Sequence, residues 1–283
     1  MLKSPILLRK LYCELPLPRF LGTYAALLLL RISRVDFLDV CLRLDGIGNT
    51  RNNDVSGENY LIRSWLPAAF LRARIDHPTI FDVGANVGDY SSALIASLPA
   101  AFVHAFEPSE ATFKQLQANL GASEHVRLVQ AGLGSKDGKM ELWSSRADGA
   151  SVHASLYKEV LSSQHGYNDL TPATIQIRTI DSICQEQRIP HIHFLKIDTE
   201  GHELDVVRGA RAMLEARSID VIQFEFNEMS LASHAFIKDF AEILPGYKFH
   251  RLFPDGPHPL PKIDWRCEIH RFQNILAVRD GFL

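Results

Sequence analysis

Residues 81–90 form a glycine-bearing segment of a kind that binds nucleoside cofactors. The segment reads FDVGANVGDY, follows a β-rich run and precedes a helical pattern. Glycines at such a turn let a ligand approach the backbone at a helix N-terminus. Glu107 ends the next predicted strand, where a carboxylate can accept hydrogen bonds from two ribose hydroxyls. We predict that the cofactor is held by Asp82, Gly84, Asn86, Gly88 and Glu107.

Asn86 and Asp89 discriminate between two classes of nucleoside cofactor. The dinucleotide fingerprint G-x-G-x-x-G requires glycine at both positions, and Asp89 would repel a pyrophosphate. The pattern acid-x-Gly-x-Gly-x-Gly of S-adenosylmethionine sites is kept apart from Asn86, and asparagine tolerates a positive φ. The ammonium and sulfonium groups of this cofactor also favour the carboxylate of Asp82. The sequence therefore predicts S-adenosyl-L-methionine, with a nicotinamide-dependent oxidoreductase or epimerase as the alternative.

A second group of ionisable residues follows the predicted strand 193–197. Lys196 and Asp198 alternate along the chain and so face one side, while Glu200 and His202 lie in the next turn and helix start. Ligands of open α/β sheets bind at this end of the strands. Such proximity can hold a lysine charged, shift the pKa of a carboxylate or bind a divalent cation. We predict that all four residues are catalytic; the structural alternative is a helix cap with a salt-bridged lysine.

Short β-rich runs alternate with helical patterns from residue 79 onward. This alternation predicts an α/β fold with a doubly wound, mostly parallel, Rossmann-like sheet of seven strands. The expected strands are 79–83, 101–106, 126–129, 193–197, 219–224, 247–252 and 272–278, and the expected helices are 90–97, 109–120, 203–216 and 234–244. The polar segment 144–172 is longer than a usual loop, and we expect it to be a functional lid or partly disordered.

Residues 1–75 are predicted to form a helical extension and linker, and residues 76–283 the cofactor-binding domain. The apolar run 24–30 is shorter than the about 20 residues that span a bilayer. Arg31 and Arg34 follow it where a signal peptide needs small residues. Two interpretations remain, namely a helix buried against the main domain and a helix lying on an anionic membrane surface.

Composition narrows the class of protein. The chain has 283 residues, 46% of them apolar, and a net charge of −3, which is typical of a globular protein without general affinity for nucleic acid. Its predicted helices also lack a basic stripe with interleaved aromatics. Four cysteines without a C-x-x-C pair favour free thiols rather than disulfides or a zinc site. We therefore expect a cytoplasmic protein, with peripheral membrane contact through the N-terminal helix as a further hypothesis.

Over residues 79–278 the chain resembles the FkbM-type methyltransferases of the class I methyltransferase fold. The resemblance rests on residues 81–88 (FDVGANVG), 106–108 (FEP), 178–181 (RTID), 194–203 (FLKIDTEGHE), 207–210 (VRGA) and 223–225 (QFE). It implies methyl transfer from S-adenosylmethionine to a hydroxyl oxygen on a sugar, glycan or other small molecule. Matched residue by residue, the resemblance implies that the cofactor is held by Asp82, Gly84, Asn86, Gly88 and Glu107. It implies that the residues facing the methyl group or shaping its pocket are Lys196, Asp198, Glu200 and His202.

Methyl transfer requires an aligned oxygen nucleophile and the removal of its proton. His202 and Asp198 are the candidate bases. Lys196, or a divalent cation held by Asp198, Glu200 and Glu225, would lower the pKa of the acceptor; the charge of Lys196 favours the version without metal. The alternative function is a non-catalytic cofactor-binding module associated with a glycan-assembly partner, against which the polar cluster argues.

Overall fold

The computed structural model describes residues 22, 24–26, 28–29, 32, 36–50, 52–145, 154–158 and 169–283. The chain forms two compact units, Met1–Gly48 and Asn49–Leu283. In the first unit, helix α1 (Phe37–Leu44) begins at Asp36, whose carboxylate accepts the backbone N–H of Leu38 at 2.9 Å. No helix in these described ranges is long and apolar enough to cross a membrane.

Part of the apolar run 24–30 is described, and it is helical there. Tyr24, Leu28 and Leu29 expose 51%, 49% and 66% of their surface. Whether this run packs against the main domain stays a prediction. Contact with a membrane surface stays a prediction.

The second unit is built on two β-sheets. Its strands are β1 (Thr79–Val83), β2 (Phe102–Phe106), β3 (Val126–Val129), β4 (Gly132–Leu133), β5 (Gly138–Ser145), β6 (Ala154–Ser155), β7 (Leu170–Arg178), β8 (Ile192–Ile197), β9 (Ile219–Phe226), β10 (Tyr247–Phe253), β11 (Gly256–Pro259) and β12 (Gln273–Arg279). The main sheet has the order β11-β10-β12-β9-β8-β1-β2-β3, and the second sheet has the order β4-β7-β5-β6.

The main sheet confirms the doubly wound α/β prediction but has eight strands instead of seven. Strands β3, β2, β1, β8 and β9 run parallel, whereas β12, β10 and β11 add antiparallel pairs. All seven expected strands are present. The eighth, β11, contains Pro257 and Pro259, which argue against a strand in sequence but are tolerated at a sheet edge.

The second sheet was not expected from the sequence. Strands β5 and β7 pair antiparallel from Gly138 opposite Ile177 to Ser145 opposite Leu170. Among the described residues, the buried side chains of this pair lie on one face and include Leu142, Ile175 and Ile177. The predicted loop 144–172 is thus wrong at its ends, which are strands, while residues 146–153 and 159–168 of the predicted lid lie outside the described part of the chain.

Helices cover both faces of the main sheet. The first is a continuous stretch, α2, made of Glu58–Tyr60, a π-helical turn Leu61–Trp65 and Leu66–Ala73. The others are α3 (Asp89–Ser97), α4 (Glu110–Leu120), α5 (Ile180–Gln187), α6 (Glu203–Arg208), α7 (Arg211–Glu215), α8 (Met229–Ala232) and α9 (Ile237–Ile243). Helix α2 belongs to the same compact unit as the sheet. The domain boundary expected between residues 75 and 76 stays a prediction.

Two apolar cores hold these helices. Leu66 and Phe70 of α2 share one core with Phe194 of β8. On the other face, the ring of Phe240 in α9 stacks on Phe224 of β9 with 4.0 Å between centroids. Since β8 and β9 are buried on both faces, their carboxyl ends are rigidly placed.

Two sequence motifs brace the helices behind the main sheet. The predicted helix 203–216 is in fact two helices, α6 and α7, interrupted at Gly209 and Ala210. The carboxylate of Asp181 accepts the N–H groups of Ala212 at 2.8 Å and Met213 at 3.1 Å, so it caps α7. A Cβ atom on Gly209 would overlap the carbonyl oxygen of Gly134. The segments 178–181 (RTID) and 207–210 (VRGA) therefore contribute to the packing of the helices.

Candidate functional site

The carboxyl ends of β1, β2 and β8 meet at one edge of the main sheet. Val83 of β1 lies between Phe106 of β2 and Ile197 of β8 in the strand register. The segments that follow these residues therefore lie side by side. They contain the turn 84–88, Glu107 and Asp198.

The turn 84–88 is held by backbone contacts that require its glycines. The N–H of Gly84 donates to the carbonyl of Phe106 at 3.0 Å, and the N–H of Asp198 donates to Val83 at 2.9 Å. Gly84 has a φ of 80° and Gly88 a φ of 95°. Asn86 has a φ of 50°, as expected for a residue that replaces a glycine of the pattern.

Glu107 is nearly buried beside this turn. One of its carboxylate oxygens accepts the N–H of Asn86 at 3.1 Å, and the other accepts the N–H of Ser109 at 2.8 Å. Burial raises the pKa of Glu107 to about 7, against the opposing effect of these hydrogen bonds. Each oxygen retains a second lone pair, so the carboxylate can still accept two hydroxyl groups.

A pocket opens between the turn and the second sheet. Its polar end is formed by Gly84, Asn86 and Glu107. Its apolar wall comes from the second sheet and neighbouring segments, through Leu133, Leu142, Leu156, Ile175 and Ile177. A polar end that binds a diol and an apolar wall that contacts a flat ring are the chemistry expected of a nucleoside site.

Asp198, Glu200 and His202 line this pocket, so the structure brings three of the four predicted catalytic residues together. The side chain of Asp198 is 37% exposed. His202 is buried, and burial lowers its pKa. Its Nδ1 lies 3.4 Å from the hydroxyl of Tyr157.

Lys196 and Asp82 are buried behind the pocket and do not line it. The Nζ of Lys196 lies 3.2 Å from Asp198 Oδ2 and 3.5 Å from Asp82 Oδ1. Burial opposes the charge of Lys196, but the carboxylates of Asp198, Asp82 and Glu58 outweigh it and raise its pKa. The other oxygen of Asp82 accepts the hydroxyl of Ser91 at 2.6 Å. Asp82 therefore links the start of α3, through Ser91, to Lys196 of β8.

Three further carboxylates belong to this edge of the sheet. Glu203 accepts the N–H groups of Thr199 at 2.8 Å and Gly201 at 3.1 Å, and burial raises its pKa to about 7. Glu203 closes the turn that carries Glu200. Its position at the start of a helix is the sequence feature that could have identified it. Glu225 follows in β9, where burial and the neighbouring carboxylates raise its pKa. Glu58 reaches the same region from α2, with no signal in the sequence.

A metal held by Asp198, Glu200 and Glu225 is not supported by the geometry. Within the described residues, three potential metal ligands converge only at His191, His193 and Asp220. This group lies at the amino ends of β8 and β9, away from the pocket. There, Asp220 is bound by His191 at 2.8 Å and by Arg279 at 2.6 Å. The Nδ1 of His193 accepts the N–H of Thr79 at 2.9 Å. The charge of Arg279 opposes a dication, so this group is an ion pair within the fold.

One known protein family matches this chain. Residues 82–249, more than half of the chain, match the family model described as the methyltransferase FkbM domain. The 2-O-methyltransferase NoeI of Sinorhizobium fredii is 22% identical over 63% of this chain and 76% of its own length. The hexuronic acid methyltransferase AglP of Haloferax volcanii is 28% identical over 61% of this chain and 64% of its own length.

A crystal structure of methyltransferase FkbM from Methylobacillus flagellatus KT aligns with a TM-score of 0.43 and 17% sequence identity. The alignment covers 71% of this chain and 44% of that chain.

Proposed function

Because the chain belongs to the methyltransferase FkbM domain family, we propose that it transfers the methyl group of S-adenosylmethionine to a hydroxyl oxygen of a sugar, glycan or other small molecule. The observation that carries this proposal is the pocket in which Glu107, the turn 84–88 and Asp198 meet. It offers a carboxylate for a ribose diol, an apolar wall for a base and a second carboxylate beyond them.

The residues divide into those that contact the cofactor and those that support them. Gly84, Asn86 and Glu107 line the pocket and would contact the nucleoside. Asp82 and Gly88 shape the turn from behind, since Asp82 is fully buried and a Cβ atom on Gly88 would lie 2.8 Å from Leu116. When bound, S-adenosylmethionine supplies a methyl carbon already activated by the sulfonium.

Asp198 is the residue best placed to align the acceptor hydroxyl and take its proton. It lines the pocket, and its side chain is far more exposed than that of His202, which is 5% exposed. Its carboxylate also pairs with the ammonium of Lys196 at 3.2 Å, which orients it. Burial lowers the pKa of His202, and its Nδ1 lies 3.4 Å from the hydroxyl of Tyr157. We propose a reaction without a metal, since Lys196 would repel a dication.

The names of two relatives support a hydroxyl acceptor, since one is a 2-O-methyltransferase and the other a hexuronic acid methyltransferase. We also propose that the protein acts in the cytoplasm on small molecules or glycans and not on nucleic acid. The exposed apolar residues Leu28 and Leu29 support peripheral contact of the N-terminal helix with a membrane.

Labelled methyl transfer tests the proposed function. The purified protein would be incubated with S-adenosylmethionine carrying a trideuterated methyl group and a total carbohydrate extract of the source cells. Mass spectrometry should find trideuteromethyl ethers that are missing when Asp198→Asn replaces the wild type. Cofactor binding without any labelled product would instead support the non-catalytic binding module.

A further inference from the structure

We propose that Glu58 is a positioning residue of the active site: it holds the buried side chains beneath Lys196, and Lys196 in turn pairs with Asp198. Glu58 lies outside residues 82–249, the part of the chain that matches the family model. The inference rests on the proposed function, because it assigns Glu58 a role in the same site.

The position of Glu58 is fixed by the backbone that precedes it. Gly57 has a φ of 85°, and a Cβ atom on it would overlap the carbonyl oxygen of Phe253 at the end of β10. Helix α2 therefore starts pressed against the main sheet. The hydroxyl of Ser56 donates to Glu58 Oε2 at 2.9 Å, which orients the carboxylate.

A chain of hydrogen bonds links Glu58 to the floor of the site. Gln223, which is 1% exposed, donates from Nε2 to Glu58 Oε1 at 3.3 Å and to Asn274 Oδ1 at 2.9 Å. The hydroxyl of Tyr90 donates to Gln223 Oε1 at 2.5 Å. The Nζ of Lys196 lies over the ring of Tyr90, 4.9 Å from its centroid. Glu58 thus fixes the amide that fixes the ring beneath Lys196.

Several carboxylates surround Lys196, Tyr90 and Glu225. Lys196 faces the carboxylates of Asp198, Asp82 and Glu58, all of which favour its charged form. Tyr90 faces the same three carboxylates. Glu225 faces four carboxylates, those of Asp198, Glu200, Glu203 and Glu58, which disfavour its ionisation. The charge of Glu58 therefore supports the ammonium of Lys196 and opposes the ionisation of Glu225.

Carboxyl titration tests this role without any methyl acceptor. The side-chain carboxyls of glutamate would be labelled with carbon-13 in the full chain, and the signal of Glu225 assigned with Glu225→Gln. Glu58→Gln should move the titration midpoint of Glu225 to lower pH by roughly one unit, because a neighbouring negative charge is removed. Glu58→Asp keeps the charge and should leave the midpoint near that of the wild type.

Glu110→Gln is the matched control, since Glu110 is an exposed carboxylate paired only with Lys114 in the described contacts. It should not move the Glu225 midpoint. Glu58→Ala is the second variant if Glu58→Gln does not fold, and it should give the same shift. A Glu225 midpoint that is equal in the wild type and in the folded Glu58 variants would overturn the inference.

Turnover with the carbohydrate extract and labelled S-adenosylmethionine gives a second readout. Glu58→Gln should lower kcat about tenfold, because Lys196 and Asp198 would lose their positions. It should also move the pH profile of kcat to lower pH. Its Kd for S-adenosylmethionine should stay within about threefold, because Glu58 does not line the cofactor pocket. Simple damage to the fold would lower the rate equally at every pH and leave the profile in place, which would contradict a positioning role. If the wild type methylates nothing while the Glu225 midpoint still shifts, the proposed function fails and the coupling of Glu58 to the site stands.

Discussion

Gly84 and Asp198 approach each other so closely that a Cβ atom on residue 84 would overlap the carbonyl oxygen of Asp198. The φ of Gly84, 80°, is also one that other residues rarely adopt. This contact joins the cofactor turn after β1 to the polar cluster after β8. The two groups of residues that look separate in sequence therefore form one site.

We expect Gly84→Ala to damage both stability and cofactor binding. The new methyl group must push the Asp198 backbone away, which should cost about 1–3 kcal/mol or more in the free energy of unfolding. Urea denaturation measures this cost. Gly138→Ala is the control, since nothing lies within 4 Å of a Cβ atom at residue 138. Equal stability of the two variants would show that the close contact is not required.

Asp198→Asn should impair chemistry and leave the fold intact. The substitution keeps shape and hydrogen bonding but removes the charge that faces the pocket, so methyl transfer should fall by at least about 100-fold. The melting temperature should change little, because the side chain is 37% exposed. Near-normal turnover by this variant would assign Asp198 to the structural role of holding Lys196.

Asp220→Asn should destabilise the fold without touching the site. Asp220 is 3% exposed in its side chain and pairs with Arg279 and His191, and breaking a buried pair costs about 3 kcal/mol. Burial alone would raise its pKa, but hydrogen bonds from these two partners hold it below the usual value. The stabilisation is therefore present above the ordinary aspartate pKa and is lost as the pH falls through the lower folded value.

Thermal melts of Asp220→Asn and wild type across acidic pH measure this difference. The two curves should converge at the acid end, and Glu215→Gln, which removes an exposed carboxylate paired with Arg211, should match the wild type closely. A constant gap at every pH would mean that packing, not charge, explains the loss.

The features predicted from the sequence are those encoded locally. The glycine pattern of residues 84–88 and the apolar runs of β8 and β9 depend on a few neighbouring residues, because a positive φ and double-sided burial leave direct traces in composition. The start of the predicted helix 109–120 is also encoded locally, because the hydroxyl of Ser109 caps α4 by accepting the N–H of Thr112 at 3.4 Å.

The features that were missed depend on distant contacts. Strand β11 contains two prolines. The buried face of β5 and β7 forms when the two strands pair, so neither strand shows it alone. Glu58 lies 165 residues from its partner Gln223, so no local pattern relates them. Lys196 was predicted to act in catalysis and Asp82 to bind the cofactor, and only the structure shows that they pair behind the pocket and do not line it.

Calorimetric titration of S-adenosylmethionine into the wild type and Glu107→Gln tests the central claim most directly. The pKa of Glu107 is raised to about 7, and its ionised form is the better acceptor for ribose hydroxyls. Binding to the wild type should thus tighten as the pH rises from below to above this value. Glu107→Gln should bind more weakly by about 1–3 kcal/mol above that pH and lack the step, while any titration of the ligand itself is common to both. Absence of binding, or identical affinity and pH dependence in the two proteins, would contradict the assignment of this pocket to the cofactor.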